Sequence, residues 1–217
     1  MQPILQLDKI CKSYNCKSGS KKVLHQMNMQ VFEKEIFAIT GRSGSGKSTL
    51  LNIMAATLTA DSGAMYYKGQ NMQEASNKER ASYRRDVISY IPQGLYLLED
   101  RDVFNNIALP LQYGKKDKAE IRENVQEIAA QLCISQLLHK SISTLSGGEK
   151  QRVAICRALV KKPEILFADE PTGSLDLVNE EVVLEMFLRL REQGTTIIVA
   201  THDDTVLSIC DKELSLN

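Results

Sequence analysis

Ile36-Phe37-Ala38-Ile39-Thr40-Gly41-Arg42-Ser43-Gly44-Ser45-Gly46-Lys47-Ser48-Thr49 decides the fold of this 217-residue chain. Its opening run lacks polar alternation, as expected of a short strand covered on both faces of a parallel sheet. Residues 41–48 then match G-x-x-x-x-G-K-[ST], and a helix is expected over 48–57. Strand, glycine loop and helix in that order are the context the motif requires. The glycines let the backbone curl so that successive N–H groups face phosphate oxygens, and the helix N-terminus adds its dipole. Lys47 is placed to neutralise the β and γ phosphates of a nucleotide, and Ser48 to coordinate Mg²⁺. A plain glycine-rich turn is the competing reading, and the flanking context weighs against it.

Outward from that stretch, residues 87–91, 165–168 and 196–200 read as further buried strands. The clearest helix is 178–193: Asp176 can cap it, Val183, Phe187 and Leu190 share one face, and Gly194 stops it. Such alternation predicts an α/β fold with right-handed crossovers, a P-loop core around a parallel sheet. Two regions depart from it. Two-fold patterning in residues 1–35 (Ile4, Leu7, Ile10; Val23, Met27, Met29, Val31) predicts an antiparallel β lobe, with a polar, turn-like insert at 15–22. From about 94 to 144 the pattern is helical, with Ile121, Val125, Ile128, Ala129 and Leu132 three and four apart; residues 113–117 before them read as a loop. The expectation is one domain over 1–217, with a helical subdomain at about 94–150 inserted in the core.

Composition narrows the function. Hydrophobic residues are 43% and charged residues 25%, which argues against a disordered or fibrous chain. Lys plus Arg and Asp plus Glu each total 27, so the basic excess of a dedicated nucleic-acid binder is missing, and association with other chains is not opposed. Cys11, Cys16, Cys133, Cys156 and Cys210 are scattered without a C-x-x-C pair, as expected of reduced thiols rather than a disulfide framework or zinc site. The start, MQPILQLDKI, has no signal-peptide pattern, and the apolar-leaning stretch at 50–60 is shorter than the roughly 18 residues of a spanning helix.

Two more segments carry chemistry. Glu164-Ile165-Leu166-Phe167-Ala168-Asp169-Glu170 is an apolar strand ending in adjacent carboxylates, an unfavourable place for paired charge unless a ligand compensates. A Mg²⁺-nucleotide would do so: Asp169 can hold the metal's water shell, and Glu170 can polarise the attacking water. In Leu145-Ser146-Gly147-Gly148-Glu149, Ser146 and Glu149 form a capping box, predicting a helix from here to about Lys162. A capped helix does not need two glycines in its first turn, where they cost stability. Glycines, a hydroxyl and free N–H groups at a helix start make a second anion cradle. Two phosphate sites in one chain suggest a dimer in which each copy closes the other's nucleotide.

These segments, with Gly173-Ser174-Leu175-Asp176 and Thr201-His202-Asp203, stand in the order found in ATP-binding-cassette ATPases, and the chain resembles that family over essentially its whole length. The resemblance implies that Gly41 to Thr49 bind ATP, and that Ser146, Gly147 and Gly148 are the signature facing the partner copy. It also implies that Tyr14 stacks on adenine and Gln93 reaches the metal and attacking water. Asp176 would belong to a loop crossing the dimer interface, and His202 would contact the γ-phosphate. Partners implied are a second copy and an integral membrane permease, with the chain peripheral on the cytoplasmic face of the membrane. Ser43 to Ile53, Asp169 to Gly173 and Asn105-Asn106-Ile107-Ala108-Leu109-Pro110-Leu111 look most like the lipoprotein-release and macrolide-exporter branch, which moves lipids, lipoproteins, peptides or drugs.

Departures from the family pattern avoid the catalytic positions. Lys34 stands where glycine is usual, residues 55–61 lack the usual glycine and proline, and a terminal strand or hairpin is expected to be shortened. Chromosome-maintenance relatives carry long coiled coils between loop and signature, whereas residues 50–144 show no sustained heptads. Translation-associated relatives fuse two cassettes. A regulatory partner of a permease-like protein, of the cell-division or antimicrobial-peptide-sensing type, would have an identical motor. The segment 94–111 is expected to dock the permease, with Leu95, Tyr96 and Leu97 as anchors, and Phe104 and Ile107 equally able to pack inward.

Overall fold

Two sheets divide the strands of the computed structural model, which describes residues 2–16, 19–113, 117–173 and 175–216. In chain order the elements are β1 (Leu5–Cys16), β2 (Gly19–Val31), β3 (Ile36–Gly41), α1 (Lys47–Met54), β4 (Ser62–Tyr67), β5 (Gln70–Asn71), α2 (Asn77–Ser82), β6 (Ile88–Ile91), α3 (Val103–Ala108), α4 (Lys118–Gln131), α5 (Gly147–Leu159), β7 (Ile165–Asp169), α6 (Leu177–Glu192), β8 (Thr196–Ala200), α7 (Asp204–Leu207) and β9 (Lys212–Leu216). The mixed α/β architecture is the one expected.

The antiparallel sheet has the order β2-β1-β4-β5. The expected polar insert at 15–22 is largely strand: Asn15 pairs with Ser20 and Tyr14 with Lys21. Polar side chains thus continue along an exposed ribbon instead of forming a loop. Of that insert, residues 17 and 18 lie outside the described residues, as do 114–116 of the expected loop at 113–117. The register of β1 shifts between Leu7 and Ser13, where Lys9 has φ 50°.

The second sheet is parallel, in the order β6-β7-β8-β3-β9. Strands β3, β7 and β8 lack polar alternation because each face meets a separate core. Leu166, Ala168, Ile197 and Val199 pack with Val103, Val125, Val153 and Phe187 of the helical side. Ile165, Phe167, Ile198 and Ala200 pack with Leu50, Leu51 and Ile53 of α1 and with Leu5, Leu7 and Met65 of the β lobe. Each Val, Leu, Ile, Phe or Met among them, fully buried, contributes about 1.5–3 kcal/mol, so both faces hold the sheet.

Three local features bear on the sequence pattern. Helix α1 ends at Met54, not 57, because Ala56 turns left-handed (φ 52°) and its N–H bonds to Ile53 O at 3.0 Å. Lys34 adopts φ 64° where glycine is usual, and its N–H bonds to Thr196 Oγ1 at 3.0 Å. A five-residue terminal strand, β9, pairs with β3 and sets Leu216 opposite Gly41.

Candidate functional site

The carboxyl end of β3 delivers the chain into the glycine loop, where two glycines are sterically required. A Cβ on Gly41 (φ 142°) would lie 2.4 Å from Leu216 O, and one on Gly46 (φ 106°) 2.8 Å from Val23 Cγ1. Gly46 caps α1 without a side-chain hydrogen bond, leaving the first helical N–H groups for an anion. Lys47 Nζ donates to Gly41 O at 2.8 Å and lies 3.8 Å from Glu170 Oε1. The Ser45 N–H bonds to Arg42 O at 3.1 Å, and its Oγ is buried without a partner.

Around this loop lies a cavity of about 710 Å³ lined by Arg42, Ser43, Gly44, Lys47, Ser48 and Thr49, and across from them by Gln93, Asp169, Glu170 and His202. Residues from four strand ends thus meet at the carboxyl edge of the sheet, where open α/β folds bind ligands. Asp169 is 5% exposed. Burial pushes its carboxyl up, while a hydrogen bond with Ser48 and the nearby Lys47 charge oppose that. A buried carboxylate beside a hydroxyl suits a hard cation with oxygen ligands. Among the described residues no cluster of three or more His, Cys, Asp or Glu could hold a metal. The Asp169 carboxyl beside the Ser48 hydroxyl fits Mg²⁺ in the manner of nucleotide sites, with few protein ligands and the rest from phosphates and water.

Glu170 has φ 48°, an uncommon conformation for a non-glycine residue, and its N–H bonds to Ala200 O at 2.9 Å. Its Oε1 lies 2.9 Å from His202 Nδ1, and its Oε2 accepts from Thr201 Oγ1 at 3.5 Å. The His202 side chain is otherwise 79% exposed.

The signature residues lie elsewhere. Ser146 Oγ accepts from Glu149 N at 3.3 Å and Ser146 N donates to Glu149 Oε2 at 2.7 Å, the expected capping box. Those bonds hold the Glu149 carboxyl below its ordinary value. Ser146, Gly147 and Gly148 are absent from the cavity lining, as are Tyr14 and Asp176. Tyr14 sits at its edge, with its hydroxyl 3.5 Å from Thr49 Oγ1. Asp176 caps α6 by accepting from Asn179 N at 2.9 Å, and Asn179 in turn contacts Arg152 of α5. Ser174 of the same loop lies outside the described residues.

Sequence patterning missed several neighbours. Val23 lines the cavity from β2, and nothing in its strand pattern singles it out. Gln151 is buried on α5 and donates to Pro171 O at 2.6 Å, tying the signature helix to the loop after Glu170. In the segment after Gln93, Arg157 of α5 donates to Leu95 O at 2.6 Å and Tyr96 O at 2.7 Å. Tyr96 is 76% exposed, Leu97 and Phe104 are half-buried against the helical core, and Ile107 is buried.

A family model described as ABC transporter matches residues 24–173. The dimeric structure of MJ0796, a bacterial ABC transporter cassette, is 31% identical with a TM-score of 0.93, over 98% of this chain and 94% of that one. A dimeric post-hydrolysis state of MJ0796 bound to ADP and phosphate matches with the same values. CbiO1 from Clostridium perfringens, part of the ABC transporter complex cbiONQ, is 30% identical with a TM-score of 0.86, over 100% of this chain and 86% of its own. With a family match spanning more than half of its residues and the likeness to MJ0796 running nearly end to end, the chain belongs to the ABC transporter family, as an ATP-hydrolysing cassette.

Proposed function

We propose that two copies of this chain close around two Mg-ATP and drive a separate membrane permease, each copy's Ser146-Gly147-Gly148 turn covering the nucleotide on the other's phosphate loop. One observation carries this reading: the space around the signature glycines is open. A Cβ on Gly147 would meet nothing within 4 Å, and one on Gly148 only ordinary contacts at 3.7 Å. Glycines that weaken a helix start without serving their own chain leave room for something approaching from outside.

In this reading the backbone of residues 41–46 wraps the phosphates, Tyr14 stacks on adenine, and Asp176 reaches the interface. Ser48, Asp169 and Gln93 would hold Mg²⁺, which supplies positive charge to the phosphates. Lys47 leaves Gly41 O and Glu170 for the terminal phosphate oxygens. Glu170 accepts the proton of the attacking water as its oxygen bonds to the γ phosphorus and the bond to the β-phosphate oxygen breaks, releasing ADP and phosphate. His202 holds the carboxylate and contacts the γ-phosphate. Residues of about 94–150 form the helical unit that relays closure, and 94–111 dock the permease on the cytoplasmic face of the membrane. Of the expected anchors Leu95, Tyr96 and Leu97, Leu97 is withdrawn because it packs against the helical core. Among the described residues no helix is long and apolar enough to cross a membrane. The branch resemblance favours export or extraction of lipid, lipoprotein, peptide or drug.

Mixed dimers test the reading. A Lys47→Ala chain paired with a Ser146→Arg chain keeps one intact composite site if sites form across the interface. Activity above that of either parent alone supports the arrangement; mixtures as inactive as the parents overturn it.

A further inference from the structure

Beside the loop that carries His202, two carboxyl groups face each other. Glu180, in the first turn of α6, is 8% exposed, and its Oε1 is buried without a hydrogen-bond partner. Its side chain meets that of Asp203, the residue after His202. Asp203 is a junction: its Oδ2 accepts from Thr172 Oγ1 at 3.2 Å, its Oδ1 from Thr205 N at 2.9 Å, and its own N–H donates to Thr201 Oγ1 at 3.1 Å. The groups acting on the pair are Glu181 from α6, which adds negative charge, the uncharged Thr205 of α7, and the uncharged Thr172 after Glu170. Among the described residues no lysine, arginine or histidine pairs with either carboxylate. Two carboxylates in contact without a cation repel, and one proton between them turns repulsion into a hydrogen bond.

We propose that Glu180 is a positioning residue for ATP hydrolysis: it carries a proton shared with Asp203, and that bond ties the start of α6 to the loop holding His202 against Glu170. The proposal rests on reading Glu170 and His202 as catalytic. Burial, and then the Asp203 carboxyl, push Glu180 above the ordinary 4.5. Burial also acts to raise Asp203, but hydrogen bonds from Thr205, Glu180 and Thr172 outweigh it and hold that carboxyl below the ordinary 3.8. A group raised in the folded state stabilises below its ordinary value and loses that contribution as pH rises through the raised one. The tie is therefore firm on the acid side and loosens with rising pH.

The experiment is steady-state ATP hydrolysis by the full chain as wild type, Glu180→Gln, Glu180→Ala and His202→Ala, between about pH 5 and pH 8. Glutamine offers Asp203 a donor that does not titrate. The kcat of Glu180→Gln relative to wild type should be higher at the alkaline end than at the acid end, by up to about threefold, the scale of one hydrogen bond. Glu180→Ala should turn over about threefold slower than wild type at the acid end, with KM unchanged. A flat ratio, or an alanine variant as fast as wild type at the acid end, overturns the proposal. If Glu180→Ala shows no cooperative melt, the glutamine ratio decides alone. If His202→Ala hydrolyses ATP like wild type, the reading of the site falls first, and this proposal with it.

Discussion

His202 Nδ1 and Glu170 Oε1 stand 2.9 Å apart, so the histidine is already bonded to the carboxylate that would take the water's proton. Replacing Glu170 by Gln keeps size and hydrogen bonding but removes the base. Turnover should fall about 10²–10⁴-fold, while ATP binding persists. Single-turnover hydrolysis and equilibrium binding on one preparation check both halves. Wild-type turnover in protein free of contaminating ATPase would refute the role.

Lys47 bridges the two sides of the cavity, donating to Gly41 O at 2.8 Å and lying 3.8 Å from Glu170. Arg42 also lines the cavity, but Lys47 is the cation set between Gly41 O and Glu170. Lys47→Ala should weaken ATP binding about 10- to 100-fold, the loss of about 1.5–3 kcal/mol of charge-assisted hydrogen bonding. Calorimetric titration with Mg-ATP measures it, and an unchanged Kd would sink the phosphate-loop assignment.

Tyr96 projects from a segment whose backbone is already fixed, since Arg157 holds its carbonyl and that of Leu95. Tyr96→Asp should leave ATP hydrolysis by the isolated chain near the wild-type rate and abolish co-purification with the proposed membrane permease. Leu97→Asp, by contrast, should lower the melting temperature, because that side chain packs against the helical core. Retained permease binding by Tyr96→Asp would count against docking through this residue.

Lys161 is a source of pH dependence outside the nucleotide cavity. Burial lowers its ammonium from 10.5 to about 8, although Nζ donates to Arg84 O at 2.9 Å and Arg85 O at 3.0 Å. Between those two values the unfolded chain binds more protons than the folded one, so stability should rise with pH there. Melting temperature relative to Lys161→Gln should shift in favour of wild type as pH passes about 8. A difference independent of pH would contradict the burial argument.

The phosphate loop, the strand ending in Asp169 and Glu170, and the capped helix at Ser146 were legible in the sequence because each is local. A glycine spacing, a carboxylate pair after an apolar run or an S-x-x-E box carries its own geometry. The rest of the β lobe was not: β4 pairs with β1, distant in sequence, β5 is only two residues long, and the register shifts in β1 break the alternation that would expose it. The end of α1 was hidden because Ala56, not glycine, takes the left-handed turn. Glu180 reads as an ordinary acidic residue near a helix start, and only folding brings it against Asp203.

The parallel sheet separates two cores by residue parity, so every position along β7 is an address. Phe167 belongs to the side of the nucleotide loop, and its neighbour Ala168 to the side of the signature helix. A one-residue slip of that strand would send each side chain into the opposite core and mis-set Asp169 and Glu170 together. The register that fills both cores is thus the same one that delivers both carboxylates.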